Sequence, residues 1–564
     1  MQAIGCPGRW NRERGAAMSP AMHCDIKFSG ATVIDGSGAK AFRADVAVSG
    51  GRISEIGDLA GLESARTVDC TGRIVAPGFI DIHSHSDFLV SDADHGTLLE
   101  PFLRQGMTTL VGGNCGFSPA PITEHTRVPV TEASRLIGDH AIDLRWETMG
   151  EFLDAIEKSG VVLNIAQLVG HGTVRAAVCG HLNPAAPDAA ELGEMERLCR
   201  QALDDGCVGV STGLGYPPGI FASEDELAAF AGWAARSNKI FTSHLRAYSW
   251  MSPVYPDRDP FADPHNIAAI EEILRVAERG GSRLQISHLI FVGSATWPTA
   301  GRAIAVVEAA RIRGLDVAFD AFPYTAGNTT ASVLFPPEIL PHLEMVLATP
   351  DGMEGLVAMG NHLFAQIGFH LEDIQIMNAN APAFDRFNGR FVGDAARDAG
   401  MGIWEFYARM VCESHRNARV LIHKYSGGAD DERALETVLA HPLCTIETDT
   451  FVTSCGHQNP ASYGTFPRVL STYVKRGLFP LEEAVRKMTG AAAERFGWSD
   501  RGFVRKGCAA DLVVLDPGTL EDTATFAQPS RFPRGIDMVL VGGRVVVEGD
   551  HYDAGARSGV VIRA

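Results

Sequence analysis

Residues 74–87 read IVAPGFIDIHSHSD. A short apolar run ends in His83 and His85, two positions apart, so on an extended chain both imidazoles face the same side and can reach one cation or two adjacent ones. Among 19 histidines such a pair is a weak signal by itself. Three further runs give it weight: FTSHLR closes an apolar run at His244, QISHL at His288 and CTIETD at Asp449. When several buried strands each end in a metal-binding side chain, the chain calls for a fold that gathers its strand ends on one face.

The sequence around these motifs supplies that fold. Strand-like runs (IVAPGFIDIHSH, GMTTLVGGNCG, VVLNIAQLVGH, CVGVSTGL, KIFTSHLR, SRLQISHL, DVAFDAFPY, VLIHKYSG, LCTIETD) alternate with amphipathic helical segments such as DAAELGEMERLCRQALDDG. This is the pattern of β/α units around a buried parallel sheet, and a (β/α)8 TIM barrel is its closed solution. Nine runs compete for eight places. VLIHKYSG and DVAFDAFPY are the ones in doubt, because about residues 326–402 between them read as an inserted lid rather than one crossover helix.

Both chain ends look different. DIKFSGATVIDGSG, ADVAVSGGRISEIGD and, near the C-terminus, IDMVLVGGRVVVEGD are valine-rich runs broken by glycine turns. The expected organisation is an N-terminal extension over 1–23, a small β-sandwich domain from 24–80 plus 487–564, and a catalytic barrel over 81–486.

Composition narrows the class. The 564 residues are 46% hydrophobic and 21% charged, as in an ordinary globular enzyme. Acidic residues outnumber basic ones 68 to 49, which argues against nucleic-acid binding. No apolar stretch has the roughly 20 residues of a spanning helix. The N-terminus lacks a signal-type apolar core, and the 11 cysteines form no CxxC pair. A cytoplasmic protein without a membrane partner is expected; a homo-oligomer is compatible with the sequence.

The longer strings are more specific. GGNCGFSPAP (112–121), STGLGYPPGIFAS (211–223), YGTFPRVL (463–470) and the closing ADLVVLDP resemble the amidohydrolase superfamily, in particular the N-acyl-D-amino-acid deacylase (D-aminoacylase) family, over nearly the whole chain from about residue 24. The resemblance implies a zinc-dependent hydrolase that cleaves a linear C–N amide bond of a small N-acylated substrate. It makes Cys115 a thiolate ligand with His244 and His288 for one tight zinc, and His83, His85 and Asp449 a second, weaker position. CVGVSTGL has no lysine to bridge two metals, consistent with the cysteine. Zinc would acidify a water and polarise the scissile carbonyl, with Asp449 as general base. Asp87 is read as a loop carboxylate or a partner of a ligand histidine.

The sequence departs from the family in its substrate anchors. The lysine expected two residues after His288 is Ile290, and the arginine expected before YGTFPRVL is Ala461. A carboxylate brought into a pocket without cationic partners loses several kcal/mol, so the substrate preference is expected to be altered. Arg246 and Lys424 are the candidates for a relocated carboxylate site; Tyr324 retains the family's strand-seven tyrosine as a candidate partner of a substrate carbonyl or carboxylate, and His171 is a candidate donor to a substrate carbonyl. Glu447 and Thr450 flank Asp449 where small residues are usual, and His423 stands at a strand end. The competing readings are a cyclic-amide hydrolase of dihydroorotase or hydantoinase type and a noncatalytic metal-binding scaffold.

Overall fold

The computed structural model describes residues 23–138, 142–252, 254–255, 263–336 and 339–564. The expected N-terminal extension lies outside the described residues, apart from His23, which opens the first strand.

Eight parallel strands pair in chain order: Phe79–Asp81, Met107–Gly112, Asn164–Gly170, Gly209–Gly213, Ile240–His244, Arg283–Ile286, Val317–Ala321 and Cys444–Ile446. Nearly every residue in them is buried, as strands covered by helices on one side and by barrel core on the other must be. The first and last strands meet just beyond their ends. The Asp449 amide donates to the His83 carbonyl at 3.0 Å and the His85 amide to the Thr450 carbonyl at 3.1 Å. The backbone bonds that close this TIM barrel are therefore made by the residues of the HxH motif and the Asp449 loop.

VLIHKYSG proves to be the surplus run. Its strand, Arg419–His423, lies between Ala326–Thr330 and Ile374–Asn378 and is antiparallel to both. The insertion thus continues to His423, beyond the expected 402. It carries its own apolar cluster, including Phe364, Trp404, Phe406 and Tyr407. Sequence could not separate it from a barrel strand because a buried central strand looks the same in either sheet.

The two chain ends join in one continuous nine-stranded sheet. Leu512–Leu515 pairs antiparallel with Ile74–Pro77 and ties the C-terminal strands to the N-terminal ones. The turn at Gly542 and Gly543 has φ of 55° and 80°, the doubly left-handed geometry that the GG pair anticipated. Asp511 fastens this sheet to the barrel. Its carboxylate accepts from the Asn164 side chain at 2.9 Å and from the Gly542 amide at 2.8 Å. Among the described residues, no helix is long and apolar enough to cross a membrane.

Replacing Asp511 with Ala removes an acceptor of the buried Asn164 side chain and the acceptor of the part-buried Gly542 amide. The loss is expected to be about 2–4 kcal/mol, read as a lower urea midpoint with metal content unchanged.

Candidate metal centre

Each of the six predicted ligands lies at or just past the C-terminal end of a barrel strand. His83 and His85 follow the first strand, Cys115 the second and His288 the sixth; His244 ends the fifth, and Asp449 follows the eighth. The structure brings all six together. Cys115 Sγ is 3.2 Å from His83 Nε2, 3.6 Å from His244 Nδ1 and 3.5 Å from His288 Nε2. Asp449 Oδ1 is 3.5 Å from both His83 Nε2 and His85 Nε2. Donors around one tetrahedral zinc stand about 3.3–3.6 Å apart, given Zn–N near 2.0–2.1 Å and Zn–S near 2.3 Å. The separations from Cys115 and Asp449 lie near that range, His244 Nδ1 and His288 Nε2 stand closer at 2.9 Å, and the thiolate–imidazole donor set suits zinc. One point was not legible in the sequence: the Cys115 sulfur lies closer to His83 than to the other two histidines, between the two expected ligand groups.

The loops that carry these ligands are held in demanding conformations. Cys115, His288 and Asp449 have φ of 54°, 32° and 47°. Non-glycine residues adopt such values only where the surroundings enforce them, at about 1–3 kcal/mol each. The enforcing contacts are visible. The His288 amide donates to Asp320 Oδ1 at 2.6 Å, and the Gly116 amide to Ser211 Oγ at 3.0 Å. Asp87 Oδ2 accepts from the Gly113 amide at 2.8 Å and from Gln167 Nε2 at 2.7 Å. Asp87 thus holds the cysteine loop and touches none of the ligand rings. The GG pair before Asn114 is equally constrained. A Cβ on Gly113 would collide with the Leu168 carbonyl, and one on Gly112 with the Asp87 side chain.

Charge inside the cluster is mutual. Burial alone would push the Cys115 thiol up, but the imidazoles of His83, His244 and His288 hold it well below the usual thiol range. Burial opposes ionisation of Asp449 too, and His288, His85 and His83 outweigh it to pull its carboxyl down. Glu447 goes the other way: burial, reinforced by Asp320, Asp449 and Asp81, lifts its carboxyl well above the ordinary range against the pull of His83.

The four candidate substrate contacts each have a partner within the protein. His171 Nε2 lies 2.8 Å from Glu226 in a buried group with Arg175. Arg246 pairs with both oxygens of Glu272 and donates to the Ile220 and Ala222 carbonyls. Lys424 Nζ meets Asp373 at 3.0 Å. Tyr324 donates to Asp522 at 3.1 Å beneath the Arg468 guanidinium. His423, also singled out, approaches Gln375 Oε1 at 3.3 Å. Ile290 and Ala461 are buried.

The walls beside the ligands are tyrosines that the sequence reading missed. The Tyr216 ring is 5.0 Å from that of His244, and its hydroxyl donates to the Cys115 carbonyl at 2.8 Å. Tyr248 lies 4.9 Å from His244 and 5.0 Å from His288. Tyr216 sat in plain view within STGLGYPPG; Tyr248, on an irregular loop, had no signal.

Known proteins resemble this chain in sequence and in fold. The sequence profile of the amidohydrolase family matches residues 66–333 and 428–547, leaving out most of the inserted sheet. The chain is 33% identical to the D-aminoacylase of Alcaligenes xylosoxydans xylosoxydans, over 94% of this chain and 96% of the relative. A solved N-acyl-D-glutamate deacylase from Bordetella bronchiseptica, complexed with zinc and a phosphonate inhibitor, superposes with a TM-score of 0.78 at 31% identity, covering 96% of this chain and all of that one. A D-hydantoinase from Thermus sp. has a TM-score of 0.54 at 15% identity and shares the fold.

Gly113→Ala forces a side chain against the Leu168 carbonyl and is expected to shift Cys115. Metal affinity should fall at least about 10-fold, measured by competition with a chelator.

Proposed function

The chain belongs to the amidohydrolase family, in its D-aminoacylase branch, and from that premise we propose that it is a zinc-dependent hydrolase of linear amides whose amine portion carries no free carboxylate. The observation that carries the substrate reading is the engagement of every candidate cation: Arg246 is bound to Glu272 and Lys424 to Asp373, while Ile290 and Ala461 are uncharged. A substrate carboxylate beside Tyr216 and Tyr248 would lose its hydration and gain no cationic partner.

Cys115, His244 and His288 would hold the principal zinc, and His83, His85 and Asp449 a second ion. Bound zinc supplies Lewis acidity to the acyl carbonyl and makes water acidic enough to attack near neutral pH. The protein's own part is proton transfer and positioning. Asp449, with 15% of its side chain exposed, borders the accessible side of the cluster. As general base it takes the proton of the attacking water and returns it to the leaving nitrogen, so that the C–N bond breaks to give a carboxylate and an amine. His83 and His85 hold that carboxylate in place. Tyr216 fixes the backbone carbonyl of Cys115, and the tyrosine walls exclude bulk water from the scissile bond.

Asp449→Asn should keep zinc at Cys115, His244 and His288 while kcat falls by about 10²–10⁴, seen by steady-state assay beside metal analysis. On a panel of N-acetyl anilides, N-acyl amines, N-acetyl-D-amino acids and cyclic imides, carboxylate-free linear amides should lead in kcat/KM by at least about 10-fold. That margin corresponds to about 1.4 kcal/mol in the transition state. Preference for the D-amino acid derivatives would overturn the substrate reading, and Ile290→Lys should move preference toward them.

A further inference from the structure

Glu447 is fully buried, and among the described residues neither of its carboxylate oxygens has a hydrogen-bond partner. An unpartnered buried carboxyl is costly, so its neighbours decide what it is for. The neighbour at hand is His83, whose Nδ1 is also buried without a partner and lies 3.8 Å from Glu447 Oε2. The other side of the same imidazole, Nε2, faces Cys115 and Asp449. A histidine that offers Nε2 to a cation must carry its proton on Nδ1, and that N–H needs an acceptor.

Two carboxylates flank Nδ1. Asp320 Oδ1 is 3.6 Å away, but Asp320 already accepts from the His288 amide on Oδ1 and from Gln285 Nε2 on Oδ2. Asp81, which accepts from the His83 backbone amide, is likewise engaged by the Thr448 amide and hydroxyl. Glu447 alone of the three has no donor of its own.

We infer that Glu447 is the positioning residue for His83: one of its carboxyl oxygens accepts a hydrogen bond from Nδ1–H, which fixes the tautomer that directs Nε2 at the second cation position and thereby sets the affinity of that position. This rests on the reading of His83, His85 and Asp449 as a cation site. Both separations from Nδ1 exceed a hydrogen bond. A cation at Nε2 draws electron density from the ring and makes Nδ1–H a stronger donor, so the grip of Glu447 and the binding of the second ion reinforce each other.

The test is zinc titration of the metal-free, full-length protein by calorimetry with chelator competition, for wild type, E447M and E447Q. Methionine keeps the length of the side chain and removes the acceptor; glutamine keeps a carbonyl that can still accept. E447M should weaken the second ion by about 10- to 100-fold and leave the first unchanged. E447Q should stay closer to wild type than to E447M. Metal-free E447M should melt no lower than metal-free wild type, because an unpartnered buried carboxyl has been removed. Unchanged second-ion affinity in E447M, equal weakening of both ions, or a lower melting point in E447M would each overturn the inference. Wild type that binds one ion only would overturn it too while leaving the deacylase reading intact; wild type that binds none would bring down that reading.

Discussion

A cysteine sulfur surrounded by imidazoles at the mouth of a barrel is the contact on which the rest of this structure turns. Cys115 is only 4% exposed and lies within 3.6 Å of nitrogens from three histidines. A buried thiolate has no water to stabilise it, so positive charge must come from the protein or from a bound ion. Convergence of this kind cannot be local. It requires the second, fifth and sixth strands to end at one level, as parallel strands closed into a barrel do. The closing bonds between the backbones of His83 and Asp449 then place the remaining ligands around the same point.

That demand explains local features that otherwise look like defects. Three of the six ligand residues sit at positive φ, and the glycines before Cys115 have no room for a side chain. The polar groups holding these loops, Asp87, Ser211 and Asp320, touch backbone amides in or beside the ligand segments. Strain in the ligand loops is therefore balanced by buried hydrogen bonds whose acceptors stand on neighbouring parts of the barrel.

Most of the barrel, and the convergence of the six expected ligands on one mouth, was legible in the sequence because both depend on short-range pattern: apolar runs, and the residue type at the end of each run. The partners of the candidate substrate contacts lie far along the chain. His171, Arg246, Lys424 and Tyr324 stand at or near strand ends as convincingly as His244 does. They are taken by Glu226, Glu272, Asp373 and Asp522, lying 55, 26, 51 and 198 residues away. No local spacing announces such pairings. The same holds for Arg419–His423, whose membership in the inserted sheet depends on pairing with segments about 45 and 90 residues earlier.

The engagement of these cations also bears on why substrate recognition would diverge around an intact metal cluster. The ligands are fixed by barrel closure, so changing one disturbs the buried charge balance around Cys115. Positions 290 and 461 hold apolar side chains buried in the main core and pair with none of the charged groups around Cys115. Glu447 lies at the opposite extreme. It is two residues from Asp449, on the strand end that closes the barrel, and is packed against the Nδ1 side of His83. A carboxyl there cannot contact substrate without displacing the histidine. Whatever it does to catalysis passes through the ring it faces, which makes the tyrosine wall and the carboxyl beside His83 Nδ1 two separate places where one barrel can be tuned.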